Sequence, residues 1–253
     1  MGDSPVQRQF APVADRYVHS PFHADPVRLA EVVDLVQPRP EDEVLDVATG
    51  TGHAALALAR HVASVVGLDL TPAMLERAAA AAQAAGAKNV TWVQGDAQQL
   101  PFGDASFDAY VARAAPHHFP DIERALAEAF RVLRPGGRVA LIDCSPPPAA
   151  RDVLHRVELA RDPTHVLSRT VGEWVALLER AGFAVERADR RELPWDYADW
   201  MGRMDVAVAE QERIAREIED AEPEARAALA PERRDGALWH RYWHALIRAR
   251  RPA

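Results

Sequence analysis

The chain has 253 residues, 48% of them apolar and 27% charged, with a net charge of −8 from 30 basic and 38 acidic residues. That length suits one α/β domain with a substantial core, and the acidic balance argues against a nucleic-acid surface. A single cysteine, Cys144, excludes an intrachain disulfide and a zinc site built on cysteines. Asp3, Arg8, Asp15 and Arg16 interrupt the first twenty residues, and no uncharged apolar run is long enough to span a bilayer, so a cytoplasmic enzyme is expected.

In chain order, Asp25 and Pro26 provide a cap and a first-turn proline for a helix over VRLAEVVDLV, with Leu29, Val32, Val33 and Val36 on one face. Pro38 and Pro40 end it. EVLDVA (43–48) reads as a first strand and HAALALARHV as a helix. SVVGLDL (64–70) reads as a second strand, and Thr71-Pro72 opens an Ala-rich helix that closes at Gly86. NVTWVQGD is the third strand and FDAYVARA (107–114) the fourth. Asp121 caps IERALAEAFRVL, LRPGG follows as a loop, and RVALIDC (138–144) is the fifth strand. The Pro146-Pro147-Pro148 run marks a boundary within one domain. Thr170 and Glu173 form a capping box for VGEWVALLERA, which Gly182 closes. FAVERADRREL is a sixth strand, residues 197–230 a charged helical stretch, and ALWHRYWHALIRAR a final strand. Arg248, Arg250 and Arg251 read as its solvated end. Strands alternating with helices imply right-handed βαβ units and a mostly parallel sheet covered on both faces.

Gly50, Thr51 and Gly52 follow the first strand, where an open parallel sheet binds ligands and where bare backbone can approach one closely. GTGHAA also fits G-x-G-x-x-A, so a nicotinamide dinucleotide stays open at this point, as does a simple tight turn. Asp69 ends the second strand nineteen residues after Gly50, placed to accept from both hydroxyls of a ribose or to cap the next turn. Gly95-Asp96-Ala97 puts a second carboxylate on the same rim, able to accept from an adenine amino group, while the Ala97 N–H can donate to a ring nitrogen. A dinucleotide dehydrogenase does not need this last element.

VLDVATGTGH, GLDLTPAML, VQGDAQQLPF, SFD, HHF and RVLRPGGRV occur in that order at fitting spacings. On these pieces, residues 43–145 resemble the class I S-adenosylmethionine-dependent methyltransferases, in the small-molecule branch that includes the ubiquinone/menaquinone C-methyltransferases. YVHSPFH near the start and RDPTHV…EWVALLERAGF later extend the likeness, which fades after Pro194. The resemblance implies a doubly wound, Rossmann-like sheet of seven strands, the last antiparallel, with an inserted helical lid. Residues 1–40 would form an N-terminal helical cap, 41–148 the cofactor core, and 149–253 the substrate-side helices and last strands. S-adenosyl-L-methionine is the implied cofactor, with Tyr17, Asp46, Ala48, Gly50, Gly52, Asp69, Leu70, Met74, Asp96, Ala97 and Arg113 at its site. Relatives often carry Gly where Ala48 stands.

A sulfonium methyl is already activated, so the protein has to align a nucleophile and manage one proton. Arg113 ends the fourth strand and can bind a substrate oxygen or pair with a rim carboxylate. His117 and His118 are adjacent and cannot point the same way. One is expected as a general base and the other as a turn-holding residue, with His117 preferred as the base. Asp143 ends the fifth strand at the rim. His23, His165 and Trp195 are candidates for the substrate side, each with an ordinary packing or hydrogen-bonding role as the alternative. His240 and His244 share a sheet face without a metal pattern beside them. The expected partner is a small molecule, with no nucleic acid and no membrane, and a homodimer is left open. Cyclisation or elimination on the same cofactor fold is the rival chemistry, and nicotinamide oxidoreduction a weaker one.

Overall fold

The computed structural model describes residues 4–253. Asp3, one of the charges noted near the start, lies outside them. Short helices open the chain: α1 (Pro5–Phe10), a 3-10 turn (Ala11–Val13), α2 (Ala14–Val18) and α3 (Pro21–Ala24). Each of α1, α3 and α4 (Pro26–Val36) has proline in its first turn and a Ser or Asp side chain capping its first N–H groups.

The core then alternates: β1 (Glu43–Val47), α5 (His53–Leu58), β2 (Ser64–Asp69), α6 (Pro72–Ala85), β3 (Val90–Gln94), β4 (Phe107–Arg113), α7 (Ile122–Val132) and β5 (Leu133–Cys144). β1, β2, β3, β4 and β5 pair in parallel. β1 is buried at four of its five residues, as expected for a strand covered on both faces. The LRPGG segment expected as a loop lies inside β5. Leu133 pairs Phe107 before a register shift, and regular pairing resumes at Arg138.

The rest of the chain contains α8 (Pro148–Arg161), α9 (Val171–Arg180), β6 (Ala184–Asp196), α10 (Tyr197–Arg203), α11 (Val208–Glu219), α12 (Pro223–Leu229), β7 (Glu232–Arg234) and β8 (Ala237–Arg250). The proline run starts α8, with Pro147 at its N-cap and Pro148 at its first position. The charged stretch expected over 197–230 is three helices, because Met204–Ala207 and the turn before Pro223 break it. The sheet order is β3-β2-β1-β4-β5-β8-β6, and β8 runs antiparallel between β5 and β6. The short β7 adds an eighth strand to the seven expected, pairing only through three residues of β8. Two buried clusters flank the sheet core. A third, built from α8, α10, α11, α12, β6 and β8, forms the lid side. No helix among the described residues is long and apolar enough to cross a membrane.

Candidate active site

A cavity of about 400 Å³ opens at the carboxyl ends of the parallel strands and runs under the N-terminal helices to the lid. It is large enough for a nucleoside-sized ligand with a small molecule beside it. Asp46, Ala48 and Gly50 from β1 and its turn line it, as do Asp69, Leu70, Met74, Asp96 and Ala97 from the two neighbouring strand ends. Arg113, His117 and His118 line its middle, and Tyr17, His23 and Trp195 its far side. Gly52 and His165, also expected at the site, do not line the cavity.

The turn after β1 has a backbone that only small residues accept. Ala48 has φ +54°, Gly50 +55° and Gly52 +83°. A Cβ on Gly50 would meet nothing within 4 Å, consistent with a position that faces open cavity. A Cβ on Gly52 would lie 2.7 Å from the Trp92 ring, so this glycine serves the packing of the turn on β3. The Asp69 carboxylate accepts from the Gly50 N–H (2.8 Å) and the Thr71 N–H (2.9 Å), locking the end of β2 to the turn. Each oxygen keeps lone-pair capacity for a ribose hydroxyl. Asp96 accepts from the Gln98 N–H at 2.8 Å, which fixes its carboxylate on the rim of β3.

Asp46 is buried, and burial raises its pKa to about 6 although Thr49 Oγ1 donates to it at 2.5 Å. Arg113 lies nearby. Burial lowers its pKa to about 10, opposed by the charge of Asp46. Two of its five N–H donors hold the cap: Nη1 donates to His23 O (3.1 Å) and Nη2 to Phe22 O (3.2 Å). The substrate-oxygen role expected for Arg113 therefore has a competitor in α3. Tyr17 links both halves. Its carbonyl meets His53 Nε2 at 3.1 Å beside the glycine turn, and its hydroxyl donates to Met204 Sδ at 3.1 Å on the lid. His23 Nδ1 meets Ser20 Oγ at 2.9 Å.

His117 Nδ1 sits 2.5 Å from Asp143 Oδ1, and Asp143 is fully buried. Burial works against a charge on His117, but the Asp143 carboxylate outweighs it and holds the imidazolium well above its ordinary pKa. His118, with ring centroid 4.1 Å from His117, is pushed down to about 3 by burial and by that neighbouring charge. His118 instead holds the loop, with Nδ1 3.2 Å from Thr164 O and its ring edge-on to Phe10. His165 packs behind at 5.3 Å from His117, its pKa lowered by burial and by the two histidines. Of the three imidazoles, only His117 is held toward the imidazolium form, and it lines the cavity. His117, Asp143 and Cys144 are also the single trio of His, Cys, Asp or Glu among the described residues whose ligand atoms lie within 4.8 Å of one another. The short His117–Asp143 contact is a charge-assisted hydrogen bond.

Several cavity residues escaped the sequence reading: Phe22, Glu158, Arg161, Arg203 and Tyr242. Glu158 and Arg161 occupy buried positions of α8 in phase with Ala150, Val153, Leu154 and Val157. Two charges on an otherwise apolar helical stripe were the available signal. His240, Tyr242 and His244 alternate along β8, which puts them on one face as the four-residue spacing implied.

A parallel sheet with a glycine turn after β1, acids ending β2 and β3, and one elongated cavity defines a Rossmann-like, nucleoside-cofactor transferase fold. Residues 45–141 match the methyltransferase domain family. An uncharacterised methyltransferase of Bacillus subtilis, YcgJ, is 34% identical over 219 residues, covering 86% of this chain and 87% of that protein. The demethylmenaquinone methyltransferase of Thermus thermophilus is 41% identical over 143 residues, 55% of this chain and 64% of that protein. The crystal structure of a candidate methyltransferase from Bacillus halodurans superposes with a TM-score of 0.84 at 36% identity, covering 90% of this chain and all of that one. The chain belongs to the S-adenosylmethionine-dependent methyltransferases, and its cofactor is S-adenosylmethionine.

Proposed function

We propose that this methyltransferase acts in the cytoplasm on a small-molecule acceptor, in small-molecule biosynthesis, with no nucleic-acid partner. The observation that carries the reading is the cavity of about 400 Å³, whose lining extends past the residues of the cofactor rim to side chains of α3, α8, α10 and β8. Such a pocket encloses a small molecule and has no groove for a polymer.

S-adenosylmethionine supplies an electrophilic methyl when bound. Around it, Asp69 would hold the ribose, Asp96 and Ala97 the adenine edge, Leu70 and Met74 the apolar sides of the nucleoside, and Asp46 and Ala48 the methionine end. Arg113 keeps α3 shut over the mouth, which excludes water and holds acceptor and methyl in line. His117 takes the acceptor's proton in its neutral form, which is populated as pH rises through its raised pKa. Its Nδ1 is committed to Asp143, which orients the ring and stabilises the imidazolium. His118 and His165 position His117 by ring packing.

The test is a screen for acceptor-dependent release of S-adenosylhomocysteine, followed by His117→Gln. We expect a loss in kcat of about 100-fold or more. A loss under tenfold would remove His117 as the base and leave alignment as the source of rate.

A further inference from the structure

The lid end of the cavity carries more positive charge than moving a methyl group requires. Arg161 and Arg203, from the ends of α8 and α10, both line it and are each less than 9% exposed. Arg161 is partly satisfied: Nε donates to Trp200 O at 3.1 Å and Nη1 to Glu158 Oε2 at 3.3 Å. Glu158 also accepts the Tyr242 hydroxyl, so each of its oxygens already holds one partner. Arg203 is different. Its Nε is buried with no hydrogen-bond partner, and Asp199 at 3.4 Å forms an ion pair without hydrogen-bond alignment. Asp162, next to Arg161, accepts from Thr164 and does not line the cavity.

A second donor faces the same need. The Trp195 Nε1 is buried and unpartnered, and Trp195 lines the cavity beside Arg203. Its ring stacks on Tyr242 (4.5 Å, 15°) and meets the edge of Phe22 at 4.9 Å, while the Arg203 guanidinium lies 5.6 Å from both Phe22 and Trp195. Arg203 and Trp195 thus line one aromatic wall of the cavity, each with a donor that nothing within the chain satisfies. An acceptor entering the cavity from outside the chain would satisfy them. His23 and His244 agree with this field: burial and then the neighbouring arginines hold both well below their ordinary pKa, so they add no anion-neutralising charge of their own.

Resting on the methyl-transfer reading above, we propose that the methyl acceptor is a small aromatic acid whose carboxylate is held by Arg203 and the Trp195 N–H, with its ring lying against the cavity wall formed by Phe22, Trp195 and Tyr242. The sheet order favours this over the cofactor's own carboxylate. Arg203 follows β6, at the opposite edge of the sheet from β2 and β3, whose ends carry Asp69 and Asp96.

The experiment is calorimetric titration of protein saturated with S-adenosylhomocysteine, using benzoate, salicylate and 1-naphthoate, each paired with its carboxamide. We expect at least one acid to bind tenfold or more tightly than its amide. Arg203→Met should abolish that preference and Arg203→Lys should restore part of it, with affinity for S-adenosylhomocysteine within twofold of wild type in both variants. No acid preference in any pair, or a preference that survives Arg203→Met, overturns the proposal. So does a tenfold loss of S-adenosylhomocysteine affinity in Arg203→Met, which would assign the guanidinium to the cofactor. If wild type fails to bind S-adenosylhomocysteine at all, the methyl-transfer reading falls first and this proposal with it.

Discussion

Ala48 has φ +54°, a conformation that costs a residue with a Cβ about 1–2 kcal/mol, in a turn where relatives often carry glycine. Ala48→Gly should therefore hold or raise stability, by up to about 1 kcal/mol in denaturant unfolding, once the greater entropy of a glycine is subtracted. Gly52→Ala should do the reverse, losing about 2–3 kcal/mol, because its Cβ would meet Trp92 at 2.7 Å and its φ is +83°. The sequence placed both residues at the cofactor, and it could not separate a glycine needed by a ligand from one needed by a tryptophan on another strand. His117 tests the site's electrostatics. Its folded pKa is raised above the unfolded value, so its stabilisation is complete below about pH 6.5 and is lost as pH rises through the folded pKa. The stability difference between wild type and His117→Gln should shrink along that rise. As a base it acts when deprotonated, so kcat should climb over the same range. Asp143→Asn should move that limb to lower pH by removing the carboxylate that holds the proton. An unmoved limb would mean that another group sets the pH dependence. The choice of His117 over His118 was open from adjacency alone, since Asp143 and Thr164, which separate them, come from distant parts of the chain.

At the scale of elements, the N-terminal helices form a clasp. Arg113 ties α3 to β4, Arg16 donates to Gly202 O at 2.6 Å and pairs with Asp205 after α10, and Gln7 Nε2 donates to Leu70 O at 2.9 Å. The surface pairs are individually weak, so Arg113, half-buried and twice bonded, is the main fastener. Arg113→Met should weaken cofactor binding about tenfold and speed proteolytic cleavage within residues 4–24, with the core intact by circular dichroism. Unchanged cleavage would leave the clasp without a role in closure. The first core helix, the alternating strands and the Thr170–Glu173 capping box were legible because propensity, caps and period agreed locally. The clasp was not, because α1, α2 and α3 are too short to show a period and gain their order from contacts with β2, β4 and the lid. α8 was missed for a different reason. Its apolar stripe is interrupted by Glu158 and Arg161, so the charges that make it useful to the cavity also hide its periodicity.

Across the whole molecule, the division of labour follows the sheet. The β3-β2-β1 side supplies acids and the glycine turn, the β8-β6 side supplies arginines and aromatic rings, and β4 with β5 brings Arg113, His117 and Asp143 between them. The parallel half and its ligand rim follow from alternating strand and helix patterns alone. The acceptor half does not, because β8 reaches its place between β5 and β6 only after three lid helices, and no local pattern records that return. Everything proposed for the acceptor depends on the cofactor occupying the rim of β1, β2 and β3. The direct measurement is calorimetric titration of the purified protein with S-adenosylmethionine and S-adenosylhomocysteine, beside Asp69→Ala. Saturable binding of both, weakened tenfold or more by the variant (about 1.4 kcal/mol), is the predicted result. Binding that Asp69→Ala leaves unchanged, or no binding to wild type, would contradict the cofactor site described for these strand ends.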